Sequence, residues 1–192
     1  MSLFYIRRKS VFIAGTALLS AITAILDWTF KLANLKIPYP LLLDLKFDLL
    51  GIPIILALFL FGLASGTITC AIGAVSIAFR GPPNALLKFV AEFSTVLGVY
   101  IVLRVKGLNT LNIAKAKLLA TVSGITIRVI VMAVANILLL PLFFSLWYTV
   151  ETVLFLSPVI AVFNILQGAV STLGGFAIYE AIIRRLPSMK TV

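Results

Sequence analysis

The sequence predicts an all-α integral membrane protein with six transmembrane helices and both termini in the cytoplasm. Hydrophobic residues make up 62% of the 192 residues, the mean hydropathy is +1.19, and only 11% of the residues are charged. A soluble domain needs more charge than this to cover its surface, so lipid forms part of the solvent. The net charge of +10 comes from bases near the ends of apolar segments. That placement indicates membrane topology rather than a nucleic-acid-binding face.

The chain is predicted to form a single six-helix membrane domain over residues 1–192, because no polar stretch approaches the size of a soluble domain. Helix 1 is predicted over residues 11–30. The basic residues 7–9 in front of it resemble the start of a signal peptide. The apolar run nevertheless continues past Trp28 without a small-residue cleavage site, so we expect a retained first span.

The apolar region 49–79 is compatible with two arrangements. At about 1.5 Å per residue it exceeds the roughly 30 Å hydrocarbon core, so it is one tilted helix or two short ones. Two helices place these bases inside: Arg7, Arg8, Lys9, Arg104, Lys106, Lys115, Lys117, Arg184, Arg185 and Lys190. They place these outside, partly offset by Asp44 and Asp48: Lys31, Lys36, Lys46, Arg80 and Lys88. The positive-inside rule therefore predicts two helices and a tight cytoplasmic turn over residues 62–66.

The remaining spans follow from the lengths of the apolar runs. Helix 4 is predicted over residues 85–103, helix 5 over 117–140 with its end at Pro141, and helix 6 over 157–183. The more polar stretch 31–48 is predicted to be an outer loop that is long enough to fold over a site at the outer ends of these helices. Alternatively, this loop lies in the membrane interface, where Tyr and Pro are also common.

The residue types argue against an enzyme. The chain has no histidine, which removes the commonest metal ligand and the commonest general base, along with the motifs of zinc proteases and rhomboid-like proteases. The lone Cys70 lacks partners for a disulfide or a metal site. The six acidic residues are scattered, and a P-loop is missing. We therefore predict no catalytic residues, no metal site and no cofactor.

Five polar residues inside the predicted spans are the candidates for a functional role: Glu92, Arg128, Asn136, Asn164 and Gln167. Such groups are costly in lipid and normally turn inward to partners, water or a ligand. Glu92 and Arg128 form either a structural ion pair or part of a site. Asn164 and Gln167 share a helix face, and an amide pair offers donors and acceptors to a flat polar heterocycle. The alternative is that the amides only join helices.

The order of several segments resembles a known family. The matching stretches are Leu45-Lys-Phe-Asp-Leu-Leu-Gly-Ile-Pro53, Phe59-Leu-Phe-Gly-Leu-Ala-Ser-Gly66, Ala91-Glu-Phe93, Arg128 through Asn136 to Pro141, and Phe163-Asn-Ile-Leu-Gln-Gly168. In this order they resemble the substrate-binding S component of an energy-coupling factor (ECF) vitamin transporter, nearest to the riboflavin-type branch. The resemblance implies capture of a small vitamin from outside for ATP-driven uptake. It also implies a transmembrane coupling (T) subunit and two ATP-binding subunits as partners.

The resemblance also implies a site and leaves the vitamin open. The substrate-binding residues it implies are Asn164, Gln167, Glu92, Asn136, Lys46 and Asp48. Relative to the riboflavin-type pattern, Leu50 and Gly51 stand in place of Ser-Asp, and Ala91 and Thr95 in place of Gly and Asn. Gln167 stands in place of Lys. Riboflavin is the first choice, and another vitamin-sized ligand is the alternative.

A stripe of small residues on helix 1 is the candidate docking surface. Ala17 and Ala21 resemble the family's docking positions, and small side chains let two helices approach closely. The alternative is that the stripe packs inside the chain's own bundle. Two other functions stay open at this point: a self-sufficient secondary carrier or channel, and a structural membrane subunit without a ligand.

Overall fold

A computed structural model describes residues 9–106 and 113–185 of the chain. Within these residues it contains six helices, as predicted, and one two-stranded sheet. The elements are α1 (Lys9–Leu32), β1 (Ile37–Tyr39), β2 (Leu42–Phe47), α2 (Gly51–Phe61), α3 (Leu63–Ala78), α4 (Pro82–Lys106), α5 (Ile113–Phe143) and α6 (Val150–Arg185). Helices α5 and α6 are longer than predicted, since α5 continues past Pro141 and α6 begins well before residue 157.

The apolar region 49–79 forms two helices, which confirms the arrangement that the charges favour. The break is a single residue, Gly62, with φ of 87°. That conformation is open to glycine and costly for residues with a side chain. The predicted turn over residues 62–66 is therefore too long, because helix α3 already begins at Leu63. Helix α2 is short, but it is buried on nearly every side and forms the centre of the bundle.

Contacts between helices fix their directions. Thr16 hydrogen-bonds to Ser65 and Ser20 to Thr69, so α1 and α3 run parallel. Contacts along α3 and α4, α4 and α5, and α5 and α6 show that each of these pairs runs antiparallel. The beginning of α1 and the end of α6 therefore lie at the same face of the bundle. The excess of bases there identifies this face as cytoplasmic.

The outward surface of the bundle is apolar. Among the described residues, α1, α4, α5 and α6 are each long and apolar enough to cross a membrane, and α2 and α3 are shorter apolar helices. Large hydrophobic side chains such as Leu138, Leu142 and Phe155 are exposed on these helices. In water such a surface would drive aggregation, whereas in lipid it is solvated. The chain is a multi-pass membrane protein.

The predicted outer loop contains an antiparallel hairpin (residues 37–47), which the sequence analysis did not predict. Ile37 pairs with Phe47 and Pro38 with Lys46, and the register shifts before Tyr39. The short run of β-favouring residues is interrupted by Pro38 and Pro40, which removed the usual strand signal. A two-stranded hairpin is marginal in isolation, so its position depends on contacts with the helices.

Candidate functional site

A buried polar cluster lies where the segment before α2 meets α4, α5 and α6. Its members are Asp48, Lys88, Glu92, Arg128, Asn164 and Gln167. Glu92 is 1% exposed and Gln167 is 0% exposed, and both Arg128 and Asn164 are buried as well. Helical spacing assembles the cluster, because Lys88 and Glu92 are one turn apart on α4 and the two amides share a face of α6.

Arg128 is the centre of hydrogen bonding in this cluster. Its Nη1 donates to Glu92 Oε1 at 3.1 Å, to Thr95 Oγ1 at 3.2 Å and to the Ala91 carbonyl at 3.4 Å. Its Nε donates to Asn164 Oδ1 at 3.0 Å. A guanidinium with several fixed acceptors is held in one orientation. Arg128 therefore joins α4, α5 and α6 at a single point.

Lys88 and Gln167 connect the same cluster to the end of the hairpin. Lys88 Nζ lies 2.9 Å from Asp48 Oδ1 and 3.0 Å from Glu92 Oε1. Gln167 Nε2 donates to the Asp48 carbonyl at 2.9 Å, and Gln167 Oε1 accepts from the Asp48 N–H at 3.3 Å. Asp48 follows β2 directly. The cluster thus fixes the point at which the hairpin returns to the bundle.

The charges of the cluster are balanced. Lys88 and Arg128 supply two cations, and Asp48 and Glu92 supply two carboxylates. Ion pairs buried in a low-dielectric medium are stable only when each charge is compensated and hydrogen-bonded. A ligand that enters this cluster without disturbing it should be uncharged where it meets these four groups, since an added charge would be left without a partner.

An aromatic group covers the cluster on the hairpin side. The Tyr39 ring lies 5.8 Å from Phe47 and 5.6 Å from Phe163, and the rings of Phe47 and Phe163 are 4.9 Å apart. Phe163 immediately precedes Asn164 on α6, so the rings lie beside the polar groups. Such distances are typical of favourable aromatic pairs. The hairpin therefore packs the rings of Tyr39 and Phe47 against α6, next to the residue that precedes Asn164.

Three buried polar atoms near the site have no hydrogen-bond partner within the described part of the chain: Tyr39 OH, Glu92 Oε2 and Ser171 Oγ. Buried polar groups are normally paired, because an unpaired group loses its hydration without compensation. Ser171 lies one turn beyond Gln167 on α6. A Cβ built on Gly51 would lie 1.9 Å from Ser171 Oγ and 2.7 Å from Glu92 Oε2, so glycine lets the start of α2 approach both atoms. These atoms are free to bond a ligand or water.

The structure assembles four of the six binding residues that the sequence analysis selected, and Lys46 and Asn136 are the exceptions. Glu92, Asp48, Asn164 and Gln167 meet in the cluster. Lys46 does not, because side chains alternate along β2 and Lys46 lies on its exposed side. Asn136 lies further along α5 and lines a small pocket that it shares with Asn164.

Sequence reasoning missed Lys88 as a member of the cluster. From the charge pattern alone, Lys88 is an outer base that helps to set the topology. The available signal was its spacing of four residues from Glu92 on one helix, which favours an ion pair. In the structure, Lys88 bonds both carboxylates of the cluster.

The candidate docking stripe lies on the outside of the bundle. Ala17 and Ala21 are exposed. A neighbouring face of α1 is bonded to α3 through Thr16 and Ser20. This exposure argues against the alternative in which the stripe packs within the chain. As for metals, residues 9–106 and 113–185 hold no group of three or more potential His, Cys, Asp or Glu ligands.

Comparisons with known proteins identify a fold. No protein-family model matches the chain, and no curated protein is similar enough to match it. A solved structure described as the S component of a bacterial ECF transporter is similar, with a TM-score of 0.76 and 22% sequence identity. The likeness covers 93% of this chain and 99% of that chain. The chain therefore shares the fold of that S component over nearly its whole length.

Proposed function

We propose that the chain is the substrate-binding S component of an ECF-type transporter and captures a small vitamin beneath the hairpin. The observation that carries this proposal is the buried, charge-balanced polar cluster, which the hairpin covers with aromatic rings. A site of this kind can bind and orient a molecule that has both a flat ring and a polar edge. The fold shared with an S component supports the same function.

Riboflavin remains the first choice for the ligand. Its flavin ring is flat and uncharged, which suits the aromatic residues Tyr39, Phe47 and Phe163 and the balanced cluster. The imide edge of the ring offers an N–H donor between two carbonyl acceptors. Glu92 Oε2 is an unpaired acceptor, and Ser171 Oγ can donate. Another uncharged, vitamin-sized heterocycle would satisfy the same groups.

The proposed partners are a transmembrane coupling (T) subunit and two ATP-binding subunits. The exposed face of α1 that carries Ala17 and Ala21 is the proposed docking surface for the T subunit. Close helix approach through small residues is a common means of association in membranes. The ATP-binding subunits supply the energy for uptake, and the chain itself supplies only binding.

The test is to identify the molecule that the protein carries. The chain is purified in mild detergent, denatured to release bound compounds, and analysed by absorbance and mass spectrometry. An unrelated multi-pass membrane protein purified from the same cells is the control. A flavin in stoichiometric amount from this chain alone is the expected result. If the protein carries a different heterocycle, riboflavin is the wrong ligand but the binding function stands. If it carries no small molecule and none binds saturably in later titrations, the proposal is refuted.

A further inference from the structure

A second buried network lies at the end of the bundle from which the hairpin emerges. Asp27 on α1 is fully buried, and its Oδ1 accepts from Lys36 Nζ at 2.8 Å. Its Oδ2 accepts from Ser76 Oγ at 3.2 Å and pairs with Arg80 at the end of α3. Arg80 also lies over the Trp28 ring, 4.8 Å from its centroid. None of these bonds involves a member of the polar cluster described above.

Lys36 is the first residue beyond a rigid helix end. Asn34 has φ of 52°, its N–H donates to the Lys31 carbonyl, and the Leu35 N–H donates to the Phe30 carbonyl. These bonds form the Schellman arrangement that ends helices, and they fix the chain through Leu35. Strand β1 begins immediately after Lys36. The link from Lys36 to Asp27 therefore sets the direction in which the hairpin leaves α1.

Lys36 is also the cation that can leave. Arg80 alone compensates the single negative charge of Asp27, and Ser76 satisfies a further lone pair. The side chains of Lys36 and Arg80 are 16% and 22% exposed, so both reach the edge of the network, but Arg80 is also held over the Trp28 ring. Removing the only counter-ion of a buried carboxylate is strongly unfavourable, because the charge is left uncompensated. Release of Lys36 instead leaves the carboxylate of Asp27 paired with Arg80 and hydrogen-bonded to Ser76.

We propose that the Lys36–Asp27 ion pair is a latch that holds the hairpin closed over the polar cluster. Opening it lets the hairpin rotate about its two ends, the bond after Leu35 and the fixed residue Asp48, which exposes the aromatic group and the cluster. The far side of the hairpin has its own link, since Tyr148 OH donates to Asp44 Oδ2 at 2.7 Å. That bond is exposed and is readily exchanged with water. The role of the latch in ligand exchange rests on the proposed function, whereas the latch itself does not.

The experiment measures hairpin position without any ligand. In a Cys70→Ala background, spin labels are attached at Leu41→Cys on the hairpin tip and Phe155→Cys on α6, both of which are exposed. Distances are measured by pulsed electron resonance in lipid nanodiscs. We expect one narrow distribution for the parent and an added longer component for Lys36→Gln. Two matched controls should keep the parent distribution: Lys36→Arg, which retains the ion pair, and Ser76→Ala, which removes a bond to Asp27 from α3 only.

Each other outcome overturns the proposal. An unchanged distribution for Lys36→Gln would show that the ion pair does not position the hairpin. Equal broadening in Ser76→Ala would show general loosening of the network. A collapse of the thermal melt in Lys36→Gln would show that the pair supports the fold instead. Failure of the proposed function gives a different result. In that case the protein carries no small molecule, but Lys36→Gln still broadens the distance distribution.

Discussion

At the scale of single residues, Arg128 donates more hydrogen bonds than any other side chain of the buried polar cluster. It reaches Glu92, Thr95 and Asn164 from the middle of α5, and it is almost fully buried. A lone arginine in lipid is costly, and such residues are typical of functional sites. The sequence identified Arg128 and Glu92 as partners. It left open whether they were structural, and the ion pair of Glu92 with Lys88 now links them to the proposed site.

Glu92→Gln should strongly destabilise the protein. The variant leaves Lys88 and Arg128 with one remaining carboxylate, Asp48, so one buried positive charge loses its compensation. Loss of one partner of a buried ion pair costs about 3–5 kcal/mol. Glu180→Gln is a matched control, because Glu180 also contacts one lysine and one arginine but is one-third exposed. It should lose less than about 1 kcal/mol. Reversible unfolding in detergent measures both free energies.

The double variant Arg128→Met/Glu92→Gln separates charge balance from packing. It removes both members of one ion pair, so Lys88 and Asp48 remain as a bonded and neutral pair. Neighbouring sites are not additive, and the double variant should be more stable than Glu92→Gln alone. A double variant at least as unstable as the single would show that charge balance does not hold this cluster together.

At the scale of elements, the sequence predicts the helices better than it predicts the hairpin over residues 37–47. The six apolar runs and the break at Gly62 follow from hydropathy, charge and one glycine. The hairpin does not, because its strands are short and contain Pro38, and because its position depends in part on contacts with distant residues such as Phe163. Lys88 was missed for a related reason. Its role depends on Asp48, which lies far from it in sequence and adjoins it only after folding.

Gly98→Ala tests the close contact that aligns α4 with α5 near the cluster. A Cβ at Gly98 would lie 2.6 Å from the Ser123 carbonyl oxygen and 2.8 Å from Gly124 Cα. Both are backbone atoms, so the helices must separate, and overpacking costs about 1–3 kcal/mol. This outweighs the gain of about 1 kcal/mol in helix propensity. Gly81→Ala is the control, because its nearest neighbour is the movable Asn84 side chain. Equal melting of both variants would contradict this packing.

At the scale of the whole molecule, the two faces of α1 have separate tasks. One face bonds α3 through a series of hydroxyl groups that ends at Asp27, and the other carries the exposed small residues. Helix α1 therefore belongs firmly to the bundle while it offers a surface to lipid or to another protein. The same helix also holds the latch of the hairpin. Docking and ligand release thus involve a single rigid element in the proposed transporter.

Cysteine labelling should confirm the orientation of the bundle in the membrane. In a Cys70→Ala background, cysteines at Asn34 and Thr149 should react with a membrane-impermeant reagent added outside intact cells. Cysteines at Asn109 and Lys190, which lie outside the described residues, should react only after the membrane is opened. The prediction rests on the positive-inside rule. Two spans, α5 and α6, separate Asn109 from Lys190, so both positions should face the cytoplasm. Labelling of the two positions from opposite sides would contradict this arrangement.

Ala21→Trp should separate binding from uptake. Ala21 is exposed on α1, so a bulky side chain there leaves the buried cluster untouched but prevents close approach of a partner helix. We expect unchanged affinity for the identified ligand and loss of uptake in cells that co-express the coupling subunits. Val134→Trp adds the same bulk at a lipid-facing position of α5, 55% exposed, and should keep both activities. If Ala21→Trp weakens ligand binding as much as uptake, the stripe supports the bundle and is not a docking surface. If both variants transport normally, the partner docks on another face, and the exposed small residues of α1 contact only lipid.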